Sequence, residues 1–541
     1  MTLLSSPLTR RYASTSPSRG EVIRLDAVVK IILSTITILF LTACAVGPDF
    51  TVPEAPETDT YSEQPLPKKT EATKDMHGGA AQEFNIAAEI PVEWWELFHS
   101  PELNAMIEHG IENSPNMRAA EATLRQAQEN LYALIGSTML PKVTAGYSQQ
   151  EFQVVPFAIT SGLTGGGTGF SSFLTEVPPP FYVYNATVNV SYTLDVFGGY
   201  RRSIEASAAQ VDYQLFELAA VYLTLTSNIV TTAVKEASLR AQIKAVNDLI
   251  TIQEKQLGIN RAQYRLGGIA STAVLAQETQ LAQTQALLPP LEKDLTAARN
   301  ALAVLIGDYP GNNKLPKFDL KDLHLPTELP VSMPARLVRQ RPDVQAAEAT
   351  LHATTAQIGV ATANLLPSFP LTGSLGTESG SFNSLFGPGT KMWNWQAQVL
   401  QTIFNGGALL AQRRAAIAGF EAAYAQYQQT VLTALQNVSD TLKALEMDAQ
   451  ALKATTLAEK SAKKTLAITQ EQYKLGGAGY LDVIVAETKY LNAYTSRILA
   501  EAARFADTAA LFQAMGGAWW KDARLYELAN PDEDDDEEDD E

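Results

Sequence analysis

The chain is 541 residues long, with 46% apolar residues, one cysteine and a formal net charge of -18. That length and apolar share allow more than one packed domain, while a single cysteine excludes an internal disulfide framework. The acidic balance, with no basic cluster and interleaved aromatics, argues against nucleic acid as a partner.

The first 30 residues are polar and basic, carrying Arg10, Arg11, Arg19, Arg24 and Lys30, and residues 31–41 are an apolar run. The run is too short to cross a bilayer, which takes about 20 residues, but it suits the core of a signal peptide. It ends in Leu41-Thr42-Ala43-Cys44. These residues resemble a bacterial lipobox, in which the cysteine is lipidated and becomes the first mature residue. Residues 1–43 are therefore expected to be removed and Cys44 to carry acyl chains; a buried structural cysteine is the alternative. Ala45 rather than aspartate follows the cysteine, as in lipoproteins bound for the outer membrane.

The mature chain repeats itself. Ser114-Pro115-Asn116-Met117-Arg118 leads into Ala119-Ala120-Glu121-Ala122-Thr123-Leu124, and Arg341-Pro342-Asp343-Val344-Gln345 leads into the same six residues, 227 positions later. Further on, Phe197-Gly198-Gly199 is echoed by Phe404-Asn405-Gly406-Gly407, and Tyr264-Arg265-Leu266-Gly267-Gly268 by Tyr473-Lys474-Leu475-Gly476-Gly477. Three matches in one order indicate a duplicated half rather than a short solenoid period. Each half is expected to run helix (about 101–138 and 334–363), two strands split by a loop, a very long helix (about 200–262 and 407–474), a glycine turn and a returning helix (about 271–306 and 481–514). Pro289-Pro290 breaks the pattern in the first half only and predicts a bend there.

Around 181–194 the residues alternate. Tyr182, Tyr184, Ala186, Val188, Val190, Tyr192 and Leu194 fall on one face; Val183, Asn185, Thr187, Asn189, Ser191 and Thr193 fall on the other. Residues 392–402 repeat this, with Trp393 and Trp395 against Asn394 and Gln396. An apolar face with aromatic ends and a polar face fit a membrane barrel strand with a watery lumen. A soluble sheet with one wet face remains the alternative. The stretch 408–474 holds no proline, and its apolar positions Ile417, Phe420, Tyr424, Tyr427, Val431, Ala434 and Val438 step by three and four, the seam of packed, coiled helices. Sixty-seven helical residues would reach about 100 Å.

Chemistry-bearing motifs are lacking. The five histidines, at 77, 99, 109, 324 and 352, stand at no zinc-ligand spacing. The glycines at 165–167 lack the lysine of a phosphate loop. No cofactor, metal or catalytic residue is expected, and hence no enzyme. The chain ends in ten consecutive acids, residues 532–541, more than half of its net charge, expected to stay solvated and disordered.

A resemblance becomes specific when the motifs are taken in order. Ala45-Val46-Gly47-Pro48-Asp49-Phe50, Trp94-Trp95-Glu96-Leu97-Phe98, Pro101-Glu102-Leu103-Asn104, Leu194-Asp195-Val196-Phe197-Gly198-Gly199 and the two Leu-Gly-Gly turns resemble the outer membrane factor family, in its NodT-type lipoprotein branch of TolC-like channels. The likeness covers about residues 44–520. It implies a mixed α and β membrane protein: a homotrimer with a twelve-strand outer-membrane β-barrel continued by a long periplasmic α-helical barrel. Segment 44–100 would be the lipidated N-terminal segment with part of the equatorial region, 101–320 and 321–520 the two repeats, and 521–541 the C-terminal segment with its acidic tail. The implied function is a passive exit channel for small toxic molecules, fed by a periplasmic adaptor and an inner-membrane transporter of the RND type. The glycine turns would form the periplasmic tip, giving gate or adaptor roles to Tyr264, Arg265, Gly267, Gly268, Tyr473, Lys474, Gly476, Tyr480 and Asp482. Tyr182, Tyr184, Tyr192, Trp393 and Trp395 would form the aromatic girdle against membrane lipid. Two other readings stay open at this point: a lipid-anchored coiled-coil structural protein of the envelope, and an outer channel for type I protein secretion.

Overall fold

The computed structural model describes residues 45–153, 179–311 and 315–529, apart from 57, 59, 63–64 and 87–89. The signal stretch, Cys44, the glycines at 165–167 and the acidic tail lie outside the described residues. In chain order the elements are β1 (Glu83–Ile86), α1 (Pro101–Asn113), α2 (Pro115–Met139), β2 (Lys142–Phe152), β3 (Phe181–Leu194), α3 (Gly199–Arg265), α4 (Ser271–Gln285), α5 (Leu288–Leu305), β4 (Glu328–Val331), α6 (Pro334–Gln340), α7 (Pro342–Ala363), β5 (Phe369–Ser379), β6 (Lys391–Ala397), α8 (Ala408–Lys474), α9 (Tyr480–Ala514) and α10 (Ala523–Ala529).

The two halves share their punctuation. A residue before proline is pushed out of the helical region, and the next helix can begin on the proline itself. Ser114 (ψ 125°) before Pro115 and Arg341 (ψ 127°) before Pro342 are extended, so each repeat opens with two helices rather than one. The long helices α3 and α8 end in the same way. Gly267 (φ +75°) and Gly476 (φ +77°) take the left-handed conformation that glycine adopts without steric cost. Gly268 N–H then donates to Gln263 O (2.8 Å), and Gly477 N–H to Gln472 O (2.7 Å), the six-to-one bonds of a Schellman cap.

The returning helices differ. The second is continuous as α9, whereas the first is split into α4 and α5 at Ala286 and Leu287. The break falls just ahead of Pro289-Pro290, which sit in the first turn of α5, where a missing N–H costs no intrahelical bond. The last strand is shorter than the alternation predicts. β6 ends at Ala397, and beyond it only Leu400 pairs, in an isolated bridge to Ser368.

The chain divides into two compact units that cut across both halves. The first comprises residues 45–48, 134–204 and 356–416 of those described, and holds an antiparallel sheet of order β2-β3-β5-β6. The second comprises 49–133, 205–355 and 417–529, and holds the short parallel pair β1-β4 with most of the helical mass. Its core explains the Trp94-Trp95 motif. Both indoles are buried, Trp94 stacks on Phe512 with centroids 5.2 Å apart, and Phe98 and Phe505 close around them. Aromatic side chains of this size dominate core energetics, at 150–250 Å² of buried surface each. The seam of α8 is buried at Tyr427, Val431, Ala434, Val438, Leu442, Leu445, Ala449 and Leu452. Its earlier positions Ile417, Phe420 and Tyr424 stay partly or fully exposed.

The stretch before α1 is pinned by a buried arginine. Arg504 of α9, with no exposed surface, donates to Gly78 O (2.6 Å), Ala80 O (3.0 Å), Gln82 Oε1 (3.0 Å) and Thr70 Oγ1 (3.3 Å). These four bonds use both terminal nitrogens of the buried guanidinium, while its Nε is buried without a partner.

Candidate functional site

In the first unit, the strand register sorts side chains into two faces. One row runs Val143, Val190, Gly373, Trp395, and the next Ala145, Val188, Leu375, Trp393. On the opposite face the rows read Thr144, Asn189, Ser374, Asn394 and Lys142, Ser191, Thr372, Gln396. Gly373 leaves room beside Trp395, as a glycine in a strand commonly does where a bulky neighbour approaches. Among the described residues, most of both faces is left uncovered. Every residue of β2 is exposed, and Trp393 and Trp395 are 71% and 74% exposed. A large apolar side chain left in water forfeits about 1.5–3 kcal/mol of burial, so a soluble sheet would have packed this face on a core.

The sheet edges are open as well. Among the described residues, β2 pairs only with β3 and β6 only with β5, so each leaves one row of backbone donors and acceptors unused there. Aromatic rings gather at both ends of the apolar face. Tyr184 lies 6.0 Å from Phe382 and 6.3 Å from Tyr182, while Phe152 and Phe181, stacked at 5.8 Å, fall on the polar-face register at the same end. At the far end Tyr192 pairs with Leu371, and Phe197 lies 6.2 Å from Phe369. The register sets Trp393 and Trp395 beside Val188 and Val190, midway along β3. A register row runs square to the strands, so in a tilted barrel it crosses several depths.

The residues after Cys44 are seated at the corner where β3 turns into α3. Val46 N–H donates to Phe197 O (3.0 Å), and Arg202 Nε donates to Val46 O (3.3 Å). The seat needs glycine: a Cβ on Gly198 would meet Ala45 at 2.6 Å, and one on Gly359 would meet Val46 O at 2.8 Å. The Gly198 echo in the sequence therefore marks a close approach that the repeat alone did not reveal. Asp195 starts α3, accepting from Tyr200 N–H (3.1 Å) and Arg201 N–H (3.0 Å), so the Leu-Asp-Val-Phe-Gly-Gly motif is a strand end, a helix cap and a seat in succession.

In the second unit, the turns carry the residues expected at a tip. Gly267 and Gly476 have open space where a Cβ would stand; Tyr264 is half exposed and Arg265 exposed. Lys474 pairs with Glu471 of its own helix at 2.7 Å, both well exposed, a contact worth little in water. Asp482 Oδ2 accepts the Gly479 N–H at 2.8 Å, the third-position acid of a helix start. Tyr480 is buried, its ring edge-on to Tyr473 with centroids 5.4 Å apart, and Tyr473 Oη reaches toward Asn260 Oδ1 at 3.4 Å. Burial raises the phenol pKa of both tyrosines above the usual value. The turns thus bring Tyr473 and Tyr480 together, while the charges at 265, 474 and 482 remain on the surface.

Sequence reasoning missed a buried polar layer further along the same helices, built by Gln253, Asn260, Gln277 and Glu487, each 1% exposed or less. Its signal was available: Glu487 follows Val483 and Ala486 and precedes Leu491 on the apolar stripe of α9. Among the described residues, no group of three or more His, Cys, Asp or Glu side chains could hold a metal ion.

Residues 106–308 and 333–517 match the outer membrane efflux protein family. The chain belongs to that family. Membership places it in the outer membrane and among efflux proteins. It is similar to a probable outer membrane lipoprotein, SilC of Salmonella typhimurium, at 26% identity, over 90% of this chain and 98% of that one. It is also similar to nodulation protein T of Rhizobium leguminosarum bv. trifolii, at 25% identity, over 83% of this chain and 89% of the relative. Among solved structures, the outer-membrane channel OprN superposes with a TM-score of 0.75 at 25% identity, over 88% of this chain and all of that one. The fold is accordingly that of outer-membrane channels built from a helical domain and a β domain.

Proposed function

We propose that three copies of this chain join sheet edge to sheet edge into a twelve-strand barrel in the outer membrane, continued by a helical barrel in the periplasm. The assembly is a passive exit conduit of a tripartite efflux system. A periplasmic adaptor and an inner-membrane transporter of the RND type deliver small toxic molecules, and the pump supplies the energy. The chain itself performs no catalysis.

The observation that carries this reading is the four-stranded sheet with two open edges and two uncovered faces of opposite polarity. In lipid an unpaired edge is prohibitive, because each unsatisfied backbone group costs several kcal/mol. Four strands cannot close, while about eight or more can. Three chains supply enough strands, with the apolar rows toward lipid and the Asn, Ser, Thr and Gln rows toward a watery lumen. The partly exposed start of the α8 seam offers a surface for a neighbouring subunit.

Cys44 is the lipid anchor in this reading. With Ala45 seated against Gly198, the acyl chains emerge at the end of β3 that leads into α3. Tyr182, Tyr184, Tyr192, Trp393 and Trp395 form the aromatic girdle. Tyr264, Arg265, Gly267, Gly268, Tyr473, Lys474, Gly476, Tyr480 and Asp482 form the tip that gates the tunnel and meets the adaptor. Residues 101–320 and 321–520 act as two near-equivalent repeats, which is how three chains present six similar helical hairpins.

A gene-deletion strain challenged with a panel of toxic compounds tests the reading. Increased sensitivity to some of them, reversed by a plasmid copy but not by one lacking residues 391–397, is the expected result. A deletion strain that tolerates every compound as its parent does, with the protein normally expressed in the parent, contradicts it.

A further inference from the structure

The buried layer of the second unit contains an acid that no basic group neutralises. Glu487 of α9 is 1% exposed, and Gln253 of α3 is fully buried against it. Gln253 Nε2 donates to Glu487 Oε2 at 3.1 Å. The other two oxygens of this pair, Glu487 Oε1 and Gln253 Oε1, are buried and accept no hydrogen bond. Two orphaned acceptors on paired groups leave the desolvation of both uncompensated. One proton removes both penalties. A carboxylic acid and a primary amide form a closed ring of two hydrogen bonds: N–H to one carboxyl oxygen, and the carboxyl O–H back to the amide oxygen. With the amide turned over, the same 3.1 Å would set two oxygens face to face, and only a proton between them could hold that.

The surroundings favour the neutral acid. Gln277 of α4 completes the layer, donating to Gln253 O at 3.0 Å, and Tyr480 on α9 is the titratable group that interacts electrostatically with Glu487. The charged groups on the neighbouring helices are occupied elsewhere. Glu254 and Lys255 of α3 and Lys489 of α9 are exposed. Arg261 of α3 pairs with Glu278 of α4 at 2.7 Å, Lys474 of α8 with Glu471, and Arg497 of α9 with Glu459 and Glu501. Desolvation raises the carboxyl pKa above its ordinary value, opposed only by the Gln253 hydrogen bond.

We propose that Glu487 is a proton-binding site: it holds a proton in the folded protein, and the shared acid–amide ring latches α3 to α9, joining the first helical hairpin to the second. The inference rests on these contacts alone and stands whether or not the assembly conducts. Its sign follows from linkage. The unfolded acid ionises near its ordinary value of 4.5, whereas the folded one keeps its proton to higher pH. The latch therefore contributes fully below about pH 4.5 and is lost as pH rises toward the folded pKa. Above that, a bare carboxylate is left in the helix core and the hairpins loosen.

The test uses the full-length protein in detergent, followed by thermal unfolding from about pH 5 to about pH 8. Glu487→Gln preserves the ring without needing a proton, so its Tm should exceed the parent's at pH 8 and approach it at pH 5. A Tm gap that stays constant across the range, or a variant less stable at pH 8, overturns the proposal. The unsubstituted protein, grown with carbon-13 glutamate, gives a second reading by infrared spectroscopy that needs no folded variant. A labelled protonated-carboxyl band at neutral pH, vanishing as pH rises in step with a fall in Tm, is expected. Absence of any such band means a water-bridged carboxylate and rejects the proton.

Discussion

Asp482 combines a helix-start contact with the gate charge proposed above, and a pair of substitutions separates the two. Its carboxylate accepts the Gly479 N–H at 2.8 Å, and it is also the acid nearest the second glycine turn, where a gate needs charge. Asp482→Ala removes both and should cost about 1 kcal/mol at the start of α9, the usual value of a lost cap. Asp482→Asn keeps an oxygen for the cap and deletes only the charge. If the charge holds the tip closed, both variants raise basal conductance with trimer levels unchanged; a parent-like Asp482→Asn removes the charge from the gate. The same contrast shows what the sequence disclosed at this scale. Gly267 and Gly476 were legible because glycine is required wherever φ is positive after a long helix. The partners of Asp482, Glu487 and Gly359 were not. Gln253 and Glu487 stand 234 residues apart in the chain, and no local pattern announces which buried amide an acid will meet.

Helices disclosed themselves better than their joints. The proline-free lengths of α3 and α8 and the seam of α8 follow from composition and a three–four spacing, whereas the split of α4 from α5 needed the chain to place Pro289-Pro290 in a first turn rather than mid-helix. One contact between helices yields a pH prediction of its own. The Asp448 carboxyl of α8 is pushed up to about 7 by burial first, then by the Asp507 carboxyl of α9, with Arg504 opposing. An acid with a raised folded pKa stabilises below its unfolded value and loses that contribution as pH rises. Here the window runs from the ordinary aspartate value of 3.8 to about 7. Asp448→Asn should flatten the fall in Tm across this window and leave the variant more stable than the parent at pH 8, by about 2 °C or more. A variant whose Tm keeps the parental slope shows that the pair does not set it. Short strands were harder to foresee: β1 and β4 are four residues each and pair in parallel from positions 83–86 to positions 328–331, a contact that no run of alternation reveals.

For the whole molecule, alternation along the chain foretold a sheet with one apolar and one polar face, and the register bears this out from Val143 to Trp395. What alternation could not supply is the strand order, in which β3 pairs with β5 and so joins the two halves into one sheet with β2 and β6 at its edges. That order leaves β2 and β6 as the edges that, in the proposed assembly, would pair with other copies. The most direct test is single-channel recording in a planar bilayer, using detergent-purified protein whose mass has been measured. Discrete, long-lived conductance steps from particles of three chains are the expected result. Monomers that remain in solution without detergent and pass no current would contradict it.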